Sequence, residues 1–150
     1  MKPLKTLSIA ILITLISQLA FAQVAEKTLV KSFNLQGQQL VVLNLDGDVQ
    51  VQEWNNDIMR VQMTISIPNV HTTTLKSLVQ AGRYNLKSKL GEDSYEVYSP
   101  GLQREVKIKG QKLNEKINYI VYAPDNVVVK LAGEASTSNI QSGDKLPSSL

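Results

Sequence analysis

From Met59 to Ile67 apolar and polar residues alternate without a slip: Met59, Val61, Met63, Ile65 and Ile67 against Arg60, Gln62, Thr64 and Ser66. A period of two belongs to a strand with one face in a core and the other in water, whereas a helix would scatter these residues around its circumference. Shorter runs of the same texture fill most of the chain. Lys27 to Leu35 predicts a first strand, with Phe33 and Leu35 in phase, and Gln36-Gly37-Gln38 turns it. Gln39 to Leu45 is apolar on both parities, which predicts a central strand. Asp46-Gly47 reads as a two-residue hairpin turn, because both residues tolerate the positive φ of type I′. Asp48 to Trp54 places Val49 and Val51 on one face and Trp54 out of phase, a slip that predicts a bulge or strand end near Glu53. Asn55-Asn56-Asp57 is the next turn signal.

Beyond Pro68 the period changes. Leu75, Leu78 and Val79 stand at i, i+3 and i+4, predicting one short helix near residues 72–81, capped by a preceding threonine and ended by Gly82. Strand texture returns in Arg83 to Leu90, in Ser94 to Ser99 with Tyr95 and Val97 on one face, and in Gln103 to Lys109 with Val106 and Ile108 on one face. Ile117 to Ala123 carries no charge and is apolar on both parities. Such a run left exposed would aggregate, so it predicts a buried central strand. Val127 to Leu131, after the turn Pro124-Asp125-Asn126, is the last strand. The expected fold is mainly β: about eight or nine short antiparallel strands in a meander curling into a sandwich, with one short helix. The expected core comprises Leu43, Leu45, Val49, Val51, Val61, Met63, Ile65, Leu78, Val106, Ile108, Tyr119, Val121 and Val129.

The two ends read differently from this middle. Lys2 and Lys5 precede an apolar run from Leu7 to Leu19, and Ala20-Phe21-Ala22 closes it. A basic start, a short apolar stretch and a small-x-small site make residues 1–22 a secretory signal peptide, with cleavage expected before Gln23. The run falls short of the ~20 residues a bilayer span needs, so the exported chain is expected not to span a membrane once the leader is removed. No cysteine follows that could carry a lipid anchor, and the chain contains 0 Cys, which removes disulfides, thiolate nucleophiles and zinc–thiolate sites. Residues 23–132 then form the β-rich domain, and 133–150, rich in small polar residues, a polar tail or the truncated start of further β repeats. Losing Lys2 and Lys5 takes the formal charge from +3 to +1. The remaining cations are scattered, which argues against a nucleic-acid partner.

Candidate chemistry is sparse. His71 is the single histidine and sits beside a turn, where it lacks the companions a zinc site or a general base requires. Asn44, Asp46 and Asp48 around Gly47 share features with a calcium loop but lack its closing bidentate glutamate, Glu53 coming too early. Loose calcium binding at turns such as Asp46–Asp48 is the form that such a site would take. Glu92 and Asp93 fall in a turn. No serine occupies a Gly-x-Ser-x-Gly elbow, and no Gly-rich phosphate loop is present. Tyr95, Tyr98, Tyr119, Tyr122 and Trp54 are candidates for an aromatic platform for sugars or peptides. Alternation puts Tyr95 and Tyr98 on opposite faces, and likewise Tyr119 and Tyr122. The expectation is of no catalytic residue, no cofactor-binding residue and no metal site.

The pieces Leu45 to Val51 (LDGDVQV), Trp54 to Val61, Gly82 to Leu86 (GRYNL) and Tyr119 to Val129 occur in an order that resembles a family of bacterial adhesin-like proteins, the auto-transporter adhesin head or GIN-type domain. The resemblance spans roughly Leu29 to Ile140. It implies an exported β-rich domain of unestablished activity that leads into a β-solenoid-like section, and it supplies no catalytic residues. Ser136, Ser138 and Ser142-Gly143-Asp144 look like the opening of the Ser-Gly-Asp repeats with which such proteins continue. The expected function is therefore an exported, non-enzymatic binding or adhesin-type β module of the bacterial cell envelope, in the periplasm, at the cell surface or outside, with a protein or surface glycan as ligand. The alternative is a periplasmic accessory or envelope-sensing subunit that binds a protein partner through an exposed sheet edge.

Overall fold

The structure is a computed structural model and describes residues 23–133. Ten strands and one helix follow in order: β1 (Val24–Asn34), β2 (Leu40–Asn44), β3 (Asp48–Trp54), β4 (Ile58–Pro68), α1 (Thr72–Gln80), β5 (Lys87–Leu90), β6 (Tyr95–Tyr98), β7 (Lys107–Ile108), β8 (Gln111–Lys112), β9 (Lys116–Pro124) and β10 (Val128–Leu131). The first sheet has the order β1-β4-β9-β3 and the second β10-β2-β6-β5, while β7 and β8 form a small hairpin of their own. The leader expected over residues 1–22, and all of the expected tail except Gly133, lie outside the described residues.

The alternation in β4 does what it predicts. Met59, Val61, Met63, Ile65 and Ile67 are at most 1% exposed and join Val41, Leu43, Tyr95, Val97, Tyr119 and Val121 in one core. Each large apolar side chain so buried contributes roughly 1.5–3 kcal/mol of transfer free energy, before the entropy of ordering it is subtracted. The two runs that are apolar on both parities are indeed central, β9 between β4 and β3, and β2 between β10 and β6.

Helix α1 packs against β1 and seats Leu75 in the core, with Leu78 and Val79 half-buried. Its N-cap is His71 rather than a threonine, and no side chain caps it. Its C-terminus closes as expected at Gly82, whose φ of 79° lets the Gly82 amide reach the Val79 carbonyl at 3.0 Å and the Arg83 amide reach that of Leu78 at 3.1 Å. That double bond pattern is the Schellman motif.

Several expectations are overturned by pairing between distant strands. Asp46-Gly47 does not close a hairpin: β2 belongs to the second sheet and β3 to the first, so residues 45–47 carry the chain across the core. Glycine is required there because, at φ 139°, a Cβ would lie 2.3 Å from the Ile117 carbonyl oxygen and 3.2 Å from the Tyr119 ring. The turn 55–57 does not join neighbours either, since β9 lies between β3 and β4. Of the two outcomes expected near Glu53 the strand end is the one found: β3 stops at Trp54, and no bulge interrupts its register with β9, which runs unbroken from Asp48–Asn118 to Trp54–Pro124. Trp54 is out of phase with Val49 and Val51 simply because it faces outward.

The meander is likewise replaced by mixed sheets, because β3/β9, β2/β10 and β2/β6 are parallel pairs. The described residues form two packed sheets and do not complete a solenoid coil. The strands expected over Arg83–Leu90 and Gln103–Lys109 shrink to β5 and β7, their remainders taking up turns and loop. Within the expected core Val51 is 44% exposed, because β3 is a sheet edge, and Leu45, Val49, Leu78, Val106, Ile108 and Val129 are only half-buried.

Candidate functional site

The parity that sends β4 side chains inward sends Ile58, Arg60, Gln62, Thr64 and Ser66 outward, and cross-strand register extends each across the first sheet. One row reads Ser32, Arg60, Tyr122, Gln52; the next reads Val30, Gln62, Ile120, Gln50. A third carries Thr28, Thr64, Asn118 and Asp48, with the Thr28 and Thr64 hydroxyls 3.2 Å apart. This face is dressed largely with amides and hydroxyls.

Trp54 and Tyr122 form the aromatic corner of the face, their ring centroids 5.4 Å apart and their planes tilted by 36°. The indole is pinned by a hydrogen bond from Nε1 to the Ile58 carbonyl, 2.9 Å, across the end of β9. The local turn is fixed in turn by Asn56, whose side-chain oxygen accepts from the Ile58 amide at 3.2 Å. The Arg60 guanidinium stands 4.8 Å from the indole centroid, a cation–π contact that holds an exposed cation in place. Among the described residues Arg60 makes no ion pair, and the side chains of Tyr122, Gln52 and Gln62 make no hydrogen bond. Their donors and acceptors are therefore free for a ligand.

Of the five aromatic residues singled out in the sequence, the structure brings Trp54 and Tyr122 together. Tyr119 is buried in the core, where loss of water pushes its phenol above the ordinary tyrosine range. Tyr95 is buried too, edge-on to Phe33, with its hydroxyl 2.9 Å from that of Ser88. Tyr98 faces outward on the other sheet. Arg60 is the residue that sequence reasoning passed over. It reads as one more polar position in an alternating strand, and its stacking depends on Trp54 reaching across β9.

The other candidates disperse. His71 is exposed at the start of α1. Asn44, Asp46 and Asp48 are exposed around the crossing between sheets, and no group of three His, Asp or Glu converges among the described residues. Glu92 and Asp93 border an open groove of about 510 Å³ beside Leu40, Val128 and Lys130.

A second polar cluster was also unforeseen. Arg83 and Glu115, each 9% exposed, form a two-pronged ion pair with Nε–Oε1 2.9 Å and Nη2–Oε2 2.6 Å. Arg83 Nη1 further donates to the carbonyls of Gly101 at 3.1 Å and Arg104 at 2.9 Å, and the Tyr84 hydroxyl donates to Glu115. Hydrogen bonding to Glu115 raises the Arg83 pKa, and burial first, then Glu115, raises that of Tyr84. With four bonds from Arg83 and one from Tyr84 all made within the chain, the cluster fastens the 99–115 loop. No helix among the described residues is long and apolar enough to cross a membrane.

No protein-family model matches the chain, and no curated protein does. Among solved structures it is similar to one described as a "putative cell adhesion protein" from Clostridium sporogenes, at 14% identity and a TM-score of 0.40. The similarity covers 71% of this chain and 45% of that one, so the chain spans less than half the length of the protein it resembles.

Proposed function

We propose that the chain is an exported, non-enzymatic binding module of the adhesin type, serving the bacterial cell envelope through the outer face of its first sheet. The observation that carries this reading is the corner formed by Trp54, Tyr122 and Arg60, where rigid aromatic surface and an unpaired guanidinium adjoin the free amides of Gln52 and Gln62. Such a surface suits ligand capture: the rings offer contact area at small entropic cost and the amides offer directional hydrogen bonds. The leader-like N-terminus supports export.

The test is co-sedimentation of the purified mature chain with intact bacteria and with isolated envelopes. Binding that falls when Tyr122→Ala and Gln62→Ala are combined supports the proposal. Binding indifferent to that pair, or robust turnover of ester, glycoside or peptide substrates, refutes it. Treating intact producing cells with an external protease separates the locations: digestion without lysis means surface display, and protection until the envelope is opened means the periplasm.

A second reading has its own observation. Both sheets end in open strands, β3 in the first and β10 in the second, with Val51 44% and Val128 57% exposed. Unpaired strand edges accept a partner's strand. An envelope protein docking at the β3 edge would leave binding unchanged on the Tyr122 and Gln62 substitutions and lose it on Val51→Lys, and one docking at the β10 edge would lose it on Val128→Lys.

A further inference from the structure

We infer that the ligand of the Trp54 corner is an acidic saccharide, a sugar chain bearing carboxylates of the uronic-acid type. The inference rests on the reading of this face as the binding surface and names the class of ligand it takes. Charge complementarity is its first support. The row Ser32, Arg60, Tyr122, Gln52 contains a cation and no carboxylate. The outward acids of the strands stand in other rows, Asp48 at the start of β3 and Glu26 already bonded to Ser66 Oγ at 2.9 Å, while Asp57 and Asp125 lie in the turns that flank the corner and, among the described residues, form no ion pair with Arg60. A guanidinium in this state presents a planar fork of N–H donors whose geometry matches a carboxylate. Its contact with the indole, 4.8 Å from the ring centroid, restrains the guanidinium before a ligand arrives, which lowers the entropic cost of binding.

The neighbouring chemistry selects a sugar over other anions. A lone phosphate or a simple carboxylate would use Arg60 and ignore the rest of the row. A pyranose ring has an apolar C–H face and a rim of hydroxyls that donate and accept. Tyr122 offers the ring surface, and the amides of Gln52 and Gln62 flank it on the adjacent strands with a donor and an acceptor each. An extended peptide would instead be captured through backbone hydrogen bonds, which a sheet face cannot supply but an edge can.

Trp54 is the sole tryptophan of the chain, so its emission reports directly on the site. The experiment titrates the full mature chain with a short oligogalacturonate and, separately, with a maltodextrin of the same length, following Trp54 fluorescence and confirming by calorimetry. The expected result is a saturable change with oligogalacturonate that weakens as salt is added, and little response to maltodextrin. Arg60→Gln should lower affinity for oligogalacturonate about tenfold or more while leaving the maltodextrin response unchanged. Gln52→Ala, which leaves the cation–π contact alone, should lower it severalfold and guards against Arg60→Gln merely loosening the corner. No response to oligogalacturonate from the native chain overturns the inference. Equal binding of both sugars, indifferent to Arg60→Gln, overturns the acidic class and leaves the face as a glycan-binding surface. If neither sugar binds but the envelope binding described above still depends on Tyr122, the inference falls and the proposed function stands.

Discussion

Arg83 and Glu115 show how much of this fold depends on single side chains that no local pattern marks. They are 32 positions apart in sequence, and each reads there as an ordinary charged residue in a polar stretch. Folding buries both, and the cost of taking them out of water is offset by the paired contact and by the two loop carbonyls. Replacing Glu115 by Ala leaves a buried guanidinium with carbonyl partners alone. This should cost about 3 kcal/mol, seen as a lowered midpoint in urea with unchanged slope. The tyrosines make a second prediction at this scale. Burial raises the pKa of both Tyr84 and Tyr119 above the ordinary value of about 10. In the unfolded chain these phenols ionise near that value, while in the folded chain they stay protonated. Their contribution is therefore complete below about pH 10 and is lost as the pH climbs towards the folded values. Melting temperatures measured across that alkaline range should fall steeply, and less steeply in Tyr84→Phe.

Strand β3 is the element on which sequence and structure differ most. Its residues are good strand formers, and the strand is there. What the sequence could not show is that β3 pairs on one side only, with β9, so that Val51 points towards the core from a place the core does not close. Glu53 shares the inward parity of Val49 and Val51 yet is exposed. A charge on the inward parity of an edge discourages strand addition. The β5 edge of the second sheet is guarded differently, by Lys87 and Lys89 on its outward parity. Because Val51 is so exposed, Val51→Lys should change stability by less than about 1 kcal/mol in a denaturant melt. The same substitution should abolish any association that proceeds through this edge, which cross-linking with an envelope extract would register.

At the scale of the whole molecule the decisive feature is β9. It enters the first sheet between β3 and β4, two strands that the sequence places on either side of a short turn. The first sheet cannot close until this late segment arrives, and the second gains its edge strand β10 only after it, so folding is expected to be concerted and governed by distant pairings. A fragment ending before Lys116 should therefore lack cooperative unfolding, checked by circular dichroism during a urea titration. The proposed binding face has the same dependence. Trp54 reaches Ile58 over the end of β9, and Tyr122 comes from β9 itself, so the aromatic corner exists only in the assembled sheet.

Local chemistry was enough to determine what local chemistry controls. The alternation of Met59 to Ile67, the apolar character of Ile117 to Ala123, the helix ending at Gly82 and the opposite faces of Tyr119 and Tyr122 follow from side-chain period and backbone preference, and each is found in the structure. Partners were not legible, because a strand's residues record how much of it is buried and not which neighbour buries it. The crossing at Asp46-Gly47, the parallel pairs, the open β3 edge and the Arg83–Glu115 fastening arise from segments far apart in the chain, and Arg60 meets Trp54 in a sheet whose intervening strand β9 is equally distant in sequence. Period and propensity act over a few residues, whereas these contacts are selected by the free energy of closing one shared core.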